Sequence, residues 1–516
     1  MGPLIMDIVY YDVTRLLARH SAPTPTGIDR VDIRYAYHYI NKNFDKKFIY
    51  QKDATFYCLP SKTAKLLIEL LYGKWITNHI ESECDKKLSA IYKSTIGNKN
   101  DNINKPTFFR TLTSKFTPGQ FKAVDGSLMD ILSCNRDKDG YYVNTSHHGV
   151  GHADAYYVFK TLGKLKIIFY LHDIIPIDFP EYVRIGDDKN HTTRVAAMAN
   201  FSDAILVNSN YTKERFISFC QQNSLRVPPI HIAYIGVEDS FIKLLNQTHQ
   251  KKECSLKEGI SISQDYFVTV STIEPRKNHL MLLQIWRSMV ENGIEDIPKL
   301  IILGKRGWNV DGVVDFLERS PSIQPYIIEL SGVSDKQLVD ILKGAKAMLF
   351  PSFVEGWGMP LVEALALGLP VVCSDIPAFH ESGQMLASYI NPIDAVKWQN
   401  EILEINNNDE YRDQLKELIN DFSLPDWETS FLEVDRFLAS VEASRSYHNP
   451  VNKKDLASTF KIAHKTNKQL HDNYVEQHKE TRFRRKVQKF KKDPQKFFLD
   501  SKFWLFQHIG KKLERY

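Results

Sequence analysis

The chain contains 516 residues, of which 43% are hydrophobic and 25% charged, a composition typical of a globular protein large enough for more than one domain. Its net charge of +5 is concentrated at the C-terminus, because residues 479–516 contain 13 Lys and Arg but only four Asp and Glu. No apolar run approaches the roughly 18 residues of a membrane-spanning helix, and the first residues lack the basic start of a signal peptide, so we expect neither.

The six cysteines are scattered along the chain without a C-x-x-C pair. This distribution argues against a disulfide framework or a zinc site and favours a reducing cytoplasm.

Strands and helices are predicted to alternate along the first half of the chain. A strand at 7–11 is followed by a loop containing Gly27 and by a helix at 32–40. This arrangement is similar to the glycine loop after the first strand of a Rossmann-like unit, although an ordinary tight turn explains a single glycine equally well. Further strands and helices are predicted at 166–171, 194–201, 203–208, 213–220 and 230–235.

Residues 45–135 are predicted to be an insertion, to which the sequence assigns no role. The insertion contains strand-like segments at 47–50 and 55–59, a helix at 62–71 and a polar loop at 97–106.

Two histidine-containing segments follow predicted strands. His148 and His152 have the four-residue spacing of some metal ligands, but no Glu or Cys set accompanies them, so we favour a loop beside a cleft. His172 and Asp173 directly follow the buried strand at 166–171, at the strand end where α/β sheets bind ligands. A turn cap or a polar packing role is the alternative, and we favour ligand binding.

A second alternation of strands and helices follows a lysine-rich stretch at 241–259, which we interpret as an interdomain linker. Its strands are predicted at 267–270, 299–303, 326–330, 347–350 and 371–373, with helices at 279–290, 336–344 and 360–367. Neither half contains G-x-G-x-x-G before a helix, which argues against a dinucleotide-dependent dehydrogenase.

The stretch from 349 to 375 combines a buried strand, a glycine loop and a helix. Gly356 and Gly358 lie between the strand and the helix, and the carboxylates Glu355 and Glu363 lie at either end of this unit. Because a glycine loop entering a helix presents free N–H groups and the positive end of the helix dipole, the stretch suits an anionic ligand.

Taken in order over residues 7–440, these motifs resemble retaining glycosyltransferases of the GT-B fold with an E-x7-E motif, the group 1 (family 4) type of bacterial surface-polysaccharide enzymes. The matching motifs are T-G-I-D-R-V at 26–31, H-D-I-I-P at 172–176, S-N-Y-T-K at 209–213, E-P-R-K-N at 274–278, S-G-V-S-D-x-x-L at 331–338, P-S at 351–352 and E-G-W-G-M-P-L-V-E at 355–363.

The resemblance implies an α/β protein with two Rossmann-like, doubly wound domains that face each other across a cleft, plus a helical basic tail. The implied parts are an acceptor domain at 1–245, a nucleotide-sugar donor domain at 255–425, a crossover helix at 426–447, a linker at 448–478 and a basic aromatic tail at 479–516.

The resemblance also implies roles for individual residues. Arg276 and Lys277 would contact the donor diphosphate, where positive charge stabilises the leaving group. A solvated charge pair is the alternative. Glu355 would face the sugar hydroxyls, Glu363 would bind the ribose, and His172 would contact the sugar or the acceptor. The remaining donor contacts would be Gly27 in the first loop, Gly332 and Val333 near the base, and Gly356, Trp357, Gly358 and Met359 near sugar and phosphate. The catalytic set would be Glu355, His172, Arg276 and Lys277.

The chemistry implied by the family needs no protein nucleophile, because the acceptor attacks on the face from which the diphosphate leaves. A glycosidase-like acid and nucleophile pair at Glu355 and Glu363 is the rejected alternative. Because no D-x-D motif is convincingly placed, no metal and no tightly bound cofactor are expected. One departure is Asp29-Arg30 where the family has a glycine-richer loop, which affects the phosphate contact expected of Gly27.

The basic tail at 479–516 interleaves Lys and Arg with Phe and Trp, a pattern typical of an interfacial helix on anionic lipid. Nucleic-acid binding and packing against a partner enzyme are the alternatives, and nothing else in the chain supports nucleic acid.

The sequence therefore predicts a cytoplasmic glycosyltransferase attached to the inner face of the membrane. It would move a hexose, with mannose from GDP-mannose favoured by E-P-R-K-N, to a glycan or lipid-linked acceptor in capsule or O-antigen synthesis. Other polysaccharide-assembly enzymes are possible partners. A nucleotide-sugar epimerase of the GT-B fold and a catalytically inactive scaffold are the alternatives.

Overall fold

The computed structural model describes residues 7–441 except for 53–54, 78–82, 97–124, 136, 139, 151–152, 162, 239–240, 243–253, 257–259 and 263–264. The predicted linker and basic tail, and most of the stretch at 241–259, lie outside the described residues.

Seven strands of the described chain form the sheet of the first domain, in the order β3-β2-β1-β4-β5-β6-β7. They are β1 (Ile8–Asp12), β2 (Asp45–Lys52), β3 (Thr55–Leu59), β4 (Gly140–Asn144), β5 (Lys166–Leu171), β6 (Ala204–Val207) and β7 (Ile230–Ile232). Neighbouring strands are parallel except for β2 and β3, which are antiparallel. The strand-like segments of the predicted insertion thus extend this sheet as β2 and β3.

Helices cover both faces of the first sheet, since apolar residues from helices and strands form one cluster on each face. They are α1 (Thr14–Arg19), α2 (Gly27–Ile40), α3 (Ser61–Trp75), α4 (Cys84–Ile96), α5 (Gly126–Cys134), α6 (Ala153–Thr161), α7 (Ile175–Asp178), α8 (Asp187–Phe201) and α9 (Asn210–Gln222), with a 3-10 turn at Pro180–Tyr182.

Helix α2 begins at Gly27, five residues before the predicted start at residue 32. The reason is a capping box, in which the Thr26 side chain accepts from the Asp29 backbone N–H and the Asp29 carboxylate accepts from Thr26. Gly27 is therefore the first residue of the helix. The sequence pattern had placed it in the loop before the helix.

Six strands of the described chain form the sheet of the second domain, in the order β12-β11-β10-β13-β14-β15, with all neighbours parallel. They are β10 (Tyr266–Val270), β11 (Lys299–Leu303), β12 (Ile327–Leu330), β13 (Met348–Phe350), β14 (Val371–Ser374) and β15 (Ser388–Ile390), preceded by a small antiparallel pair, β8 (Cys254–Leu256) and β9 (Ile260–Ile262).

The helices of the second domain alternate with its strands. They are α10 (His279–Glu291), α11 (Asp311–Arg319), α12 (Asp335–Gly344), α13 (Met359–Ala366), α14 (Pro377–Gly383), α15 (Ala395–Asn407) and α16 (Asp409–Ile419), with a 3-10 turn at Pro275–Lys277.

The last described helix, α17 (Trp427–Ser440), packs against the first domain. Phe431 meets Tyr35 of α2 edge-on with ring centroids 5.0 Å apart. At the other end of α17, the Tyr141 hydroxyl donates to the Leu438 carbonyl oxygen at 3.0 Å. The chain thus returns to its first domain after completing the second.

Each sheet directs the carboxyl ends of its parallel strands toward the boundary between the two domains, the edge at which such sheets bind ligands. The two domains also touch beside this edge: the Tyr182 and Phe353 rings stack at 5.5 Å. Because of this arrangement, the loop after β5 of the first domain approaches the loops after β10 and β13 of the second.

Candidate functional site

The loop after β10 holds two cationic side chains in a fixed conformation. Residues Pro275–Lys277 form a 3-10 turn, and Asn278 follows with a left-handed φ of 57°. The Asn278 amide nitrogen donates to the Pro392 carbonyl oxygen at 2.8 Å, which stabilises this conformation. The turn therefore presents Arg276 and Lys277 together at the carboxyl end of the sheet.

Glu355, in the loop after β13, receives both of these cations. Arg276 Nη1 lies 2.6 Å from Glu355 Oε2, and Lys277 Nζ contacts Glu355 Oε1. Arg276 Nε also lies 2.6 Å from Glu274 Oε1. The Phe353 backbone N–H donates to the Arg276 carbonyl oxygen at 2.8 Å, so the two loops form one rigid wall of the site.

The charges of this cluster are strongly coupled. Burial alone would raise the pKa of the Glu355 carboxyl, but the adjacent Arg276 and Lys277 outweigh it and lower the pKa to about 2. Burial and the neighbouring Arg276 lower the pKa of the Lys277 ammonium, although Glu355 opposes them. Glu355 is thus ionised at neutral pH, and it cannot donate a proton as a general acid there.

The glycine loop between Glu355 and α13 touches the first domain. A Cβ on Gly356 would lie 2.5 Å from the His172 carbonyl oxygen, so only glycine permits this approach. The Ser209 hydroxyl donates to the Gly356 carbonyl oxygen at 2.7 Å. Gly358 has a φ of 113°, a left-handed value, and precedes α13. The structure thus brings His172 to the loop that contains Glu355.

His172 lies in a buried histidine cluster at the end of β5. Its Nε2 lies 2.7 Å from the Thr145 carbonyl oxygen, and since a carbonyl only accepts, Nε2 carries the hydrogen. Burial lowers the pKa of His172 to about 4, so the ring is neutral at pH 7 and Nδ1 is left as an acceptor for a hydroxyl group.

Two further histidines hold the His172 loop. His147, whose φ is 59°, accepts a hydrogen bond through Nε2 from the His172 backbone N–H at 2.9 Å. His191 Nε2 lies 2.9 Å from the Asp173 carbonyl oxygen. Burial lowers the pKa of both histidines. Their contacts fix the backbone on either side of the His172 carbonyl.

Glu363, on α13, faces Arg30 of α2. Arg30 Nη1 lies 3.4 Å from Glu363 Oε1, and Arg30 Nη2 lies 3.4 Å from Asp335 Oδ1. Burial raises the pKa of the Glu363 carboxyl to about 7, with Arg30 opposing the rise and with Asp335 and Glu238 adding to it. The two glutamates of the motif therefore differ: Glu355 is strongly ionised, and Glu363 titrates near neutrality.

The other residues predicted to bind the donor line the same boundary. A Cβ on Gly27 would lie 3.1 Å from Met359 Cε, so α2 and α13 approach each other at these positions. The Trp357 ring is buried and packs against Tyr234 of the first domain at 5.1 Å. Gly332, with a φ of 69°, and Val333 form the turn that leads to Asp335. The eleven predicted donor-binding residues thus lie on helices α2 and α13 and on the segments after β10, β12 and β13, and their roles stay a prediction.

A metal site is not formed by the described residues, among which no group of three or more His, Cys, Asp or Glu side chains is placed to hold an ion. The spacing of His148 and His152 is not tested, because His152 lies outside the described residues.

Arg30, Asp335 and His147 are residues of this region that the sequence did not assign to the site. Arg30 follows Gly27 by three positions in the T-G-I-D-R-V motif. Had the helix been predicted to start at Gly27, Arg30 would have been placed about one turn into α2. Nothing in the sequence signals that it crosses to the second domain.

Known proteins resemble the chain mainly in its second domain. The family model described as "Glycosyl transferases group 1" matches residues 250–421. The serotype-specific mannosyltransferase WbdA of Escherichia coli is 28% identical over 235 residues, which cover 44% of this chain and 29% of that protein. O-antigen chain mannosyltransferase B of Escherichia coli is 35% identical over 135 residues, which cover 26% of this chain and 35% of that protein. The chain spans about a third of the length of these two relatives.

The solved structures extend the resemblance over both domains. The structure of Anabaena Alr3699/HepE in complex with UDP has a TM-score of 0.51 at 14% identity and covers 84% of this chain and all of its own. At such low identity the match concerns the fold alone. With the family motifs in order on two parallel-sheet domains, the second domain matches the group 1 glycosyltransferase family and the chain is built on the GT-B fold.

Proposed function

We propose that the protein is a retaining hexosyltransferase that takes a sugar from a nucleotide diphosphate and acts in bacterial surface-polysaccharide synthesis. The single observation that carries the proposal is the cluster in which Arg276 and Lys277 meet Glu355 beside His172. Two adjacent cations at the carboxyl end of a parallel sheet match the charge of a diphosphate.

The proposed reaction uses this cluster to stabilise the leaving group. The bond between the sugar anomeric carbon and the diphosphate oxygen breaks, and the acceptor oxygen forms a bond to that carbon on the same face. The acceptor hydroxyl proton passes to the departing diphosphate. Arg276 and Lys277 neutralise the charge that develops on the diphosphate, which lowers the barrier.

Glu355 and His172 would orient the sugar between the two domains. The ionised Glu355 accepts hydrogen bonds from sugar hydroxyls, and Nδ1 of neutral His172 accepts another. Glu363 accepts from the ribose. Gly356, Trp357 and Gly358 supply backbone N–H groups at the start of α13, and Gly27 permits close approach from α2.

GDP-mannose is our preferred donor, because the E-P-R-K-N motif and the mannosyltransferase relatives both point to mannose. The test is a thermal-shift screen of the purified protein against GDP-, UDP- and dTDP-sugars, followed by a hydrolysis assay. Stabilisation by GDP-mannose above the other donors supports the proposal. Stabilisation by a different sugar nucleotide would replace the donor, and stabilisation by none would remove the donor site.

The epimerase and inactive-scaffold alternatives are not favoured. The family match and the relatives are glycosyltransferases, and the charged residues Arg276, Lys277, Glu355 and Glu363 are all present.

We further propose that the protein works on the cytoplasmic face of the membrane and attaches there through residues 479–516, which carry 13 basic residues among several Phe and Trp. Among the helices that the structure describes, none is long and apolar enough to span a bilayer. Co-sedimentation with anionic vesicles should be lost when the chain ends at His478. Equal sedimentation of the full and shortened chains, or equal binding to neutral vesicles, would remove this proposal.

A further inference from the structure

Arg30 is a partly buried arginine that reaches from the first domain into the second. It belongs to α2, yet its guanidinium contacts Glu363 on α13 and Asp335 at the start of α12, each at 3.4 Å. The side chains of Arg30, Glu363 and Asp335 are 13%, 12% and 19% exposed. One cation of the first domain therefore lies between two carboxylates of the second.

Arg30 is the cation that favours the ionised form of the Glu363 carboxyl. Three ionisable groups surround the carboxylate: Arg30 from α2, Asp335 from α12 and Glu238 from the segment after β7. Arg34, one turn further along α2, lies 3.5 Å from Glu238. Without Arg30, Glu363 would face only acidic groups in a buried setting, and such a carboxyl takes up a proton.

The contact with Arg30 leaves Glu363 able to accept further hydrogen bonds. Arg30 lies against Oε1, and an ionised carboxylate offers about four lone-pair positions on its two oxygens. A protonated carboxyl loses acceptor capacity, because one oxygen then carries a hydrogen. The two hydroxyls of a ribose, which donate hydrogen bonds, are therefore better bound by the ionised form.

We propose that Arg30 is a positioning residue for the nucleoside of the donor: it reaches across the domain boundary and holds Glu363 as an oriented carboxylate for the ribose hydroxyls. The inference rests on the proposed function, in which Glu363 binds the ribose. Gly27, on the same helix as Arg30, approaches Met359 of α13. Nucleoside binding through Arg30 and Glu363 therefore requires that α2 and α13 lie against each other.

The experiment measures the Kd of GDP and of UDP by calorimetry from about pH 6 to about pH 8.5. The variants are Arg30→Met, which removes the charge, and Arg30→Lys, which keeps it. Arg34→Met is the matched control, since Arg34 is the next arginine of α2 and is buried, but it pairs with Glu238. Circular dichroism establishes that each variant is folded.

We expect Arg30→Met to weaken nucleotide binding severalfold near pH 7 and to recover toward the wild-type Kd at the alkaline end, because removal of the cation raises the pKa of the Glu363 carboxyl further. Arg30→Lys should keep the wild-type pH profile. Arg34→Met should not move the profile to alkaline pH. In a Glu363→Gln background, Arg30→Met should add no pH dependence, since the titrating group is gone.

Three results would overturn the inference. The first is an unchanged Kd for Arg30→Met. The second is a tighter Kd, which would mean that Arg30 competes with the nucleotide. The third is a loss of affinity that is the same at every pH. Failure of the proposed function has a different signature, because the wild-type protein would then bind neither GDP nor UDP.

Discussion

Arg276 and Glu355 join the two loops of the second domain through an ion pair of 2.6 Å between Nη1 and Oε2. Glu355 is buried and Arg276 is partly buried, and Lys277 contacts the other oxygen of the same carboxylate. The cations proposed to bind the diphosphate are thus oriented before any donor arrives. Because an oriented charge needs little rearrangement during the reaction, this arrangement suits stabilisation of a leaving group.

Glu355→Gln should destabilise the protein strongly, because the substitution keeps the shape of the side chain but leaves the buried Lys277 and the partly buried Arg276 without their shared anion. We expect the free energy of unfolding at pH 7 to fall by about 3 kcal/mol. Urea titration followed by circular dichroism measures this change.

The matched control for this prediction is Glu329→Gln. Glu329 Oε2 lies 2.7 Å from Nη2 of Arg306, an arginine that is more exposed than Arg276. It should lower the free energy of unfolding by less than about 1 kcal/mol. Equal losses for the two variants would show that the Glu355 cluster is no stronger than a surface ion pair.

Gly356→Ala should impair catalysis without removing nucleotide binding. The new Cβ would lie 2.5 Å from the His172 carbonyl oxygen and must push the first-domain loop away from Glu355, whereas Arg276 and Lys277 lie on another loop. We expect kcat/KM to fall by about 100-fold, since small misplacements of reacting groups have effects of this size. The Kd of the nucleotide should rise by a much smaller factor than kcat/KM falls.

Gly312→Ala provides the control for this substitution. Gly312 lies in α11, and an added Cβ there meets no atom within 4 Å. Activity should stay at the wild-type level, and the protein should gain about 0.5 kcal/mol of stability because alanine restricts the unfolded chain. Wild-type activity in Gly356→Ala would mean that the close approach to His172 is dispensable.

The histidine cluster should make the fold sensitive to acid. His147 is neutral in the folded state because burial lowers its pKa, whereas an unfolded histidine has a pKa near 6.5. Its contribution to stability is therefore complete above about pH 6.5 and falls as the pH drops below that value, by up to about 1.4 kcal/mol per pH unit.

His147→Gln isolates this contribution, since glutamine retains an acceptor for the His172 backbone N–H but does not titrate. Buried carboxyls with a raised pKa, Asp32 and Glu363, have the opposite effect but contribute equally to both proteins. The difference in unfolding free energy between wild type and variant should shrink from pH 7 to pH 5. A constant difference would show that His147 is protonated alike in both states.

The sequence predicted the alternation of strands and helices, because buried parallel strands are short apolar runs bounded by turn residues. It also singled out Arg276, Lys277, Glu355 and Glu363, since each lies in a motif of the resembling family, and their roles stay a prediction. It could not predict contacts that join residues over 300 positions apart, such as Arg30 with Glu363, because neither periodicity nor spacing encodes how two domains meet. The start of α2 was missed for a local reason, the reciprocal cap of Thr26 and Asp29.

Trp308→Ala should loosen the contact between the two domains while leaving each domain folded. The Trp308 Nε1–H donates to the Tyr182 carbonyl oxygen at 2.9 Å, and the Arg184 guanidinium lies 4.9 Å from the centre of the Trp308 ring. Both contacts cross the boundary between the domains, outside either core. We expect small-angle scattering to report a larger radius of gyration and kcat/KM to fall about tenfold, the equivalent of one lost interaction of about 1.4 kcal/mol.

Arg319→Ala, which removes a surface ion pair within α11, should change neither quantity. If Trp308→Ala keeps both the wild-type dimensions and the wild-type kcat/KM, the Trp308 contact does not hold the two domains together during catalysis.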